Sequence, residues 1–110
     1  MIKATIRLYE YSKTRIARLE KDIELQAVPH AGDIFYFYIK ATGKHHRTVS
    51  EIEYNENGDI LICLSDDINK EKNTPYIIDD EELNEEIIDM RESGWKVKSF
   101  VKNNKYTKCV

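Results

Sequence analysis

The sequence predicts an α+β fold: a mainly antiparallel, strongly bent sheet or small open barrel of about six strands, with one helix over about 79–93 before the last strand. Three observations carry that class. Ile2, Ala4, Ile6 and Leu8 alternate with Lys3, Thr5, Arg7 and Tyr9, the period of two of a half-buried strand. Residues 33–64 pass twice from a hydrophobic run through turn residues into another, at Ala41-Thr42-Gly43-Lys44 and at Asn55-Glu56-Asn57-Gly58-Asp59. Leu83, Ile87 and Met90 recur at i, i+4 and i+7 between a run of acids and Gly94, the spacing of a helix with both ends marked.

Taken in order, the first strand ends at a turn over Tyr11-Ser12-Lys13-Thr14. Residues 15–28 fit two templates. As a helix they align Ile16, Leu19 and Ile23 but strand Leu25 and Val28. As a strand they place Ala17, Leu19, Ile23, Leu25 and Ala27 on one face with only Lys21 charged among them, so a strand is expected. Pro29-His30-Ala31-Gly32-Asp33 breaks the ladder. Ile34-Phe35-Tyr36-Phe37-Tyr38-Ile39 is apolar on both faces, which predicts a central strand or one whose second face meets a partner. A strand over about 45–54, the Asn57-Gly58 turn and the short strand Ile60–Leu64 complete a three-stranded meander. Residues 65–76 are polar and read as a loop.

Asp79 or Asp80 can cap the helix, and acids in its first turn suit the helix dipole. Ile77 and Ile78 can staple the cap, Ile88 stands beside the apolar stripe, and Gly94 occupies the position of a left-handed C-terminal residue. Trp95 is expected to anchor the helix–strand corner. Val97 and Val101 alternate with Lys96, Lys98 and Lys102, a closing strand; residues 103–110 are polar and expected to fray. The rhythm of the break at 29–33, the aromatic strand and two tight hairpins resembles that of small SH3-like barrels over residues 29–64.

With 110 residues, 4 Gly and 2 Pro, no linker or repeat divides the chain, and one domain over 1–110 is expected. Two Cys exclude a disulfide scaffold; Cys63, in an apolar strand, is expected to be inert, and Cys109 to be a surface thiol. No apolar run approaches a membrane span, and the first residues carry no signal-peptide pattern, so a soluble cytoplasmic protein is expected. Isoleucine outnumbers leucine 14 to 6, a β-branched bias that leans toward sheet.

Charge is the most informative feature. Residues 1–50 sum to +4, residues 51–92 to −12 and residues 93–110 to +5, within a net −3. Eight carboxylates lie between Asp79 and Glu92. The dipole accounts only for those of the first turn, whereas Glu82–Glu86 and Glu85–Asp89 are like-charged i,i+4 neighbours. Glu82, Glu85, Glu86, Asp89 and Glu92 are therefore the candidate contact residues for a basic protein partner.

A nucleic-acid alternative uses Tyr36 and Tyr38 to stack bases, with Lys40, Lys44 and Arg47 on phosphates; the net acidity argues against it. His45 and His46 are adjacent and no Cys-x₂-Cys or His-x₃-His spacing occurs, so no metal and no cofactor is expected. Phosphate-loop, Gly-x-Ser-x-Gly and His-Glu-x-x-His motifs are absent, which points away from an enzyme. The expected function is a non-enzymatic binding or adaptor domain acting through protein contacts. The alternatives are an acidic inhibitor or immunity-type protein that blocks a basic nucleic-acid-binding partner, and a nucleic-acid-binding small barrel. Closure of the sheet by curling, as a monomer, is expected ahead of a homodimer.

Overall fold

A computed structural model describes residues 1–103. In chain order it contains β1 (Ile2–Ser12), β2 (Arg15–Leu25), β3 (Ile34–Ile39), β4 (Gly43–Tyr54), β5 (Ile60–Leu64), β6 (Ile68–Asn69), β7 (Thr74–Pro75), β8 (Ile77–Ile78), α1 (Asp80–Glu92) and β9 (Lys96–Lys102). The principal sheet runs β3-β4-β5-β1-β2-β9, with β8 also paired to β1. It is strongly bent and mainly antiparallel but does not close. Only β5 and β8 run parallel to β1, because the chain must cross over to reach them.

The β1–β2 hairpin is the longest element pair, in register from Ile2 opposite Leu25 to Tyr11 opposite Ile16. Alternation sends Ala4, Ile6, Leu8, Ala17 and Leu19 into the core and settles residues 15–25 as strand rather than helix. Lys21, the one charged residue in that inward register, lays its stem past Gly94 and so keeps its ammonium at the surface. The meander over 33–64 forms as expected. Its first strand is entered through a β-bulge: Gly32, at φ +94, donates its N–H to the Val49 carbonyl, and the Val49 N–H bonds the Asp33 carbonyl.

Helix α1 lies on the inner face of the sheet with Leu83, Ile87 and Met90 buried. Each such side chain contributes about 1.5–3 kcal/mol on burial. Two hydrogen bonds close the C-terminus, Gly94 N–H to Arg91 O at 3.1 Å and Trp95 N–H to Met90 O at 3.0 Å. This is a Schellman motif, with Gly94 left-handed at φ +95. It delivers Trp95, 2% exposed, onto the core, edge-on to Phe37 at 5.5 Å.

At the other end the side chain of Asp79 caps nothing and pairs with Lys13 instead. Asp80 turns outward, accepting hydrogen bonds from the Ser12 and Thr14 hydroxyls, which hold its carboxyl below its ordinary range. The helix start is thereby tied to the β1–β2 turn.

Several expectations need correction. The aromatic strand β3 is an edge of the sheet, not its centre, and Ile34, Tyr36 and Tyr38 are exposed. The polar stretch 65–76 contains the small β6–β7 hairpin. Ile88 lies outside the buried stripe, 57% exposed. The β2–β9 pairing shifts between Arg18 and Leu19, so Val101 falls opposite Ile16, away from the inward register of Val97, and is exposed. Asn103 is not frayed: it is buried, and its amide donates to the Ser12 carbonyl at 2.7 Å. The remainder of the expected tail, 104–110 with Cys109, lies outside the described residues.

Replacing Gly94 by Ala forces a side chain into the left-handed region, a change expected to cost about 1–2 kcal/mol in urea unfolding. Gly94→Asn should cost less, since Asn tolerates that conformation. Equal losses for the two would show that backbone conformation is not the cause.

Candidate functional site

The sheet forks along β1. Residues Thr5–Arg7 pair with β5 and Tyr11–Ser12 with β8, leaving Leu8–Glu10 without a strand partner on that side. A cleft of about 240 Å³ opens there, lined by Tyr9, Glu10, Phe37, Arg47, Glu86 and Met90 among others. Arg47 fills the fork. It points inward because it shares the register of Val49 on β4, and it is 8% exposed. Its guanidinium donates to the Tyr9 carbonyl at 3.2 Å, the Ser65 carbonyl at 3.3 Å and Glu10 Oε1 at 2.8 Å. One side chain thus satisfies backbone groups that the missing strand would have met.

Glu10 continues the inward register of Ile6 and Leu8. Burial pushes its carboxyl up to about 7 despite the attraction of Arg47, and the charges of Glu86 and Asp67 add to the rise. A side-chain hydrogen bond between Glu10 and Glu86 of α1 raises Glu10 and lowers Glu86. Desolvation at the cleft and the neighbouring Glu82 and Asp89 also raise Glu86, while its bond to Glu10 and the charge of Arg47 oppose that rise. The cleft floor is therefore a hydrogen-bonded Arg47–Glu10–Glu86 chain that holds a proton near neutrality.

The acids foreseen on the helix divide into groups. Glu82, Glu86 and Asp89 follow i, i+4, i+7 spacing on the side facing the cleft, where Asp89 is a lining residue. Glu85 and Glu92 flank exposed Ile88 on the solvent side. Asp79 and Asp80 are engaged with the β1–β2 turn and belong to the fold.

The sheet residues considered for nucleic acid also separate. Tyr36 and Tyr38 pair with His46 and Lys44 on the outer face, where the Lys44 ammonium lies 4.3 Å from the Tyr36 ring centroid. Lys40 follows at the strand end. Arg47 does not join them: odd-numbered residues of β4 as far as Val49, where the register shifts, point inward, and its guanidinium is spent in the fork. His45 also turns inward, stacked on Phe37 at 5.8 Å, while His46 contacts Tyr36 at 5.7 Å. Among the described residues no three His, Cys, Asp or Glu side chains converge on a metal-binding point. Cys63 is a partly buried free thiol whose burial raises its pKa. No described helix is long and apolar enough to cross a membrane.

Sequence reasoning passed over Glu10. The available signal was a carboxylate in the inward register of β1 together with an arginine in the inward register of β4. Two opposite charges aimed into one core are stable there only as partners.

The chain matches no protein-family model, and no curated protein and no solved structure is significantly similar to it.

Because the native state holds the Glu10 proton more tightly than the unfolded chain does, stability should fall as pH rises from about 4.5 to about 7. The expected loss is on the order of 2–4 kcal/mol. Glu10→Gln keeps an acceptor for Arg47 and a donor for Glu86 but cannot ionise. Urea unfolding at pH 5 and pH 8 should show a much smaller pH dependence in the variant. An unchanged dependence would assign the titration to another group.

Proposed function

We propose that this chain is a small, non-enzymatic binding domain acting through protein–protein contacts, and that α1 with the adjoining cleft receives a basic segment of the partner. One observation carries the reading. Among the described residues, the side chains of Glu82, Glu85, Asp89 and Glu92 make no hydrogen bond or ion pair. The fold engages Asp79, Asp80 and Glu86 and leaves these four against one another. Each like-charged i,i+4 pair costs about 0.2–0.5 kcal/mol. A lysine or arginine from a partner would relieve that repulsion and be steered toward it over a distance.

The cleft adds shape to the charge. It has room for a side chain rather than a whole element, and its apolar walls, Phe37 and Met90, suit the stem of a long basic residue. A partner whose own site holds nucleic acid fits the same description. The helix would then occupy its basic groove, and the chain would act as an inhibitor or immunity-type protein. The sheet-based nucleic-acid reading retains Tyr36, Tyr38, Lys40 and Lys44 but is weaker without Arg47.

Replacing Glu82 and Glu85 by Gln, Asp89 by Asn and Glu92 by Gln should leave thermal stability equal or slightly higher. The same variant should lose capture of a lysine- or arginine-rich protein from native lysate at low salt, and the wild-type capture should itself fail at high salt. Capture that persists in the fourfold variant, or retention on an oligonucleotide in place of protein, would overturn the reading.

A further inference from the structure

We propose that the free edge of β3 is a self-association surface, through which two copies of this chain join antiparallel about a two-fold axis at Tyr36. The inference is independent of the acidic cleft and rests on the direction of backbone groups.

The bulge at Gly32 fixes that direction. Since the Asp33 carbonyl bonds Val49, the odd-numbered residues of β3 turn their N–H and C=O groups toward β4. The same groups of Ile34, Tyr36 and Tyr38 then point away from the sheet, where β3 is the last strand. The next outward donor, the Lys40 N–H, is already bonded to Ser93 Oγ at 2.9 Å. Among the described residues the free edge is therefore three donors and three acceptors long, bounded by the bulge at one end and by the end of α1 at the other.

Two registers deserve comparison. With the axis at Tyr36, that residue faces itself and Ile34 faces Tyr38, so all free groups of both copies are matched in six hydrogen bonds. With the axis at Phe37, Tyr36 faces Tyr38 but Ile34 faces Lys40, whose donor is taken. The Tyr36 register also brings Lys40 of each copy to the bulge of the other, next to Asp33 and away from the other copy's Lys40, and it places the exposed Ile34, Tyr36 and Tyr38 side chains of both copies on one continuous face.

The opposite edge of the same sheet shows what guarding looks like. Strand β9 carries Lys96, Lys98 and Lys102 and a bulge, devices that deter strand addition. Strand β3 has neither a charge nor a proline from Ile34 to Ile39.

Proline separates the edge from the fold. At Tyr36 it removes an outward donor only, a position that edge strands tolerate. Sedimentation of the full chain from about 1 μM to about 1 mM should show the mass rising from 13.0 kDa toward twice that value, and Tyr36→Pro should remain at 13.0 kDa while keeping the wild-type circular dichroism. Independently, Tyr36→Cys, with Cys63 and Cys109 replaced by Ser, should oxidise to a disulfide-linked dimer, since hydrogen-bonded antiparallel partners stand about 5.5 Å apart. Tyr54→Cys in the same background, exposed on β4, should not. A wild-type chain that stays at 13.0 kDa throughout, or a dimer that survives Tyr36→Pro, overturns the proposal.

Discussion

The buried guanidinium of Arg47 is the constraint on which the rest of the structure depends. A bent sheet that forks must leave backbone groups unmatched at the fork, and Arg47, itself buried, reaches them beneath the cleft. Arg47 answers the Tyr9 and Ser65 carbonyls together, and so joins β4, β1 and the chain leaving β5 at one point. Its charge then demands a counter-charge, which the hydrogen-bonded carboxyls of Glu10 and Glu86 provide together. Two charges buried together are stable only when their remaining lone pairs and protons are also satisfied. Glu86 completes that requirement from the helix. The consequence is electrostatic crowding: one cation faces Glu10, Asp67, Glu86 and Asp89, and the proton on Glu10 is the response to it.

The helix can serve as the third wall of this site because both of its ends are fixed to the sheet. Asp80 binds the β1–β2 turn, and the Schellman motif commits Trp95 to the core. The acids of α1 consequently fall into classes by position. Asp79 and Asp80 act on the fold. The stripe from Glu82 to Asp89 faces the cleft, and the remainder faces solvent. A single dense anionic face, as composition suggests, is the sum of these and hides the difference between them.

Alternation and turn chemistry were sufficient to read β1, β2, the meander and α1, because each is decided by neighbours within a few residues. Strand order was not legible. The run Ile34–Ile39 is apolar on both faces whether it is central or an edge with exposed tyrosines, and only long-range pairing separates the cases. The outward placement of Val101 follows from a bulge opposite Arg18 and Leu19, where no Gly or Pro announces it. The candidate site was half legible. The acids of the helix stand out in the sequence, but their relation to Glu10 and Arg47 depends on three separate elements meeting at the fork. The alternation of β1 and β4 carries an inward carboxylate and an inward arginine, but sequence reasoning sets Arg47 on phosphates beside Tyr36 and Tyr38 and passes over Glu10.

Strand β3 shows how one short segment serves three surfaces. Its odd side chains, Phe35, Phe37 and Ile39, turn inward, with Phe37 reaching both Trp95 and the cleft. Its even side chains, Tyr36 and Tyr38, lie on the outer face with Lys44. Its even backbone groups point in a third direction, along the sheet and perpendicular to both. The directions are coupled by geometry but separable by chemistry. A change of side chain at Tyr36 alters the outer face and leaves the hydrogen bonding of the edge intact, whereas proline alters the edge and leaves the pairing with β4 intact. The core, outer-face and edge functions of these six residues can therefore be assigned independently, even though a single alternation sets them all.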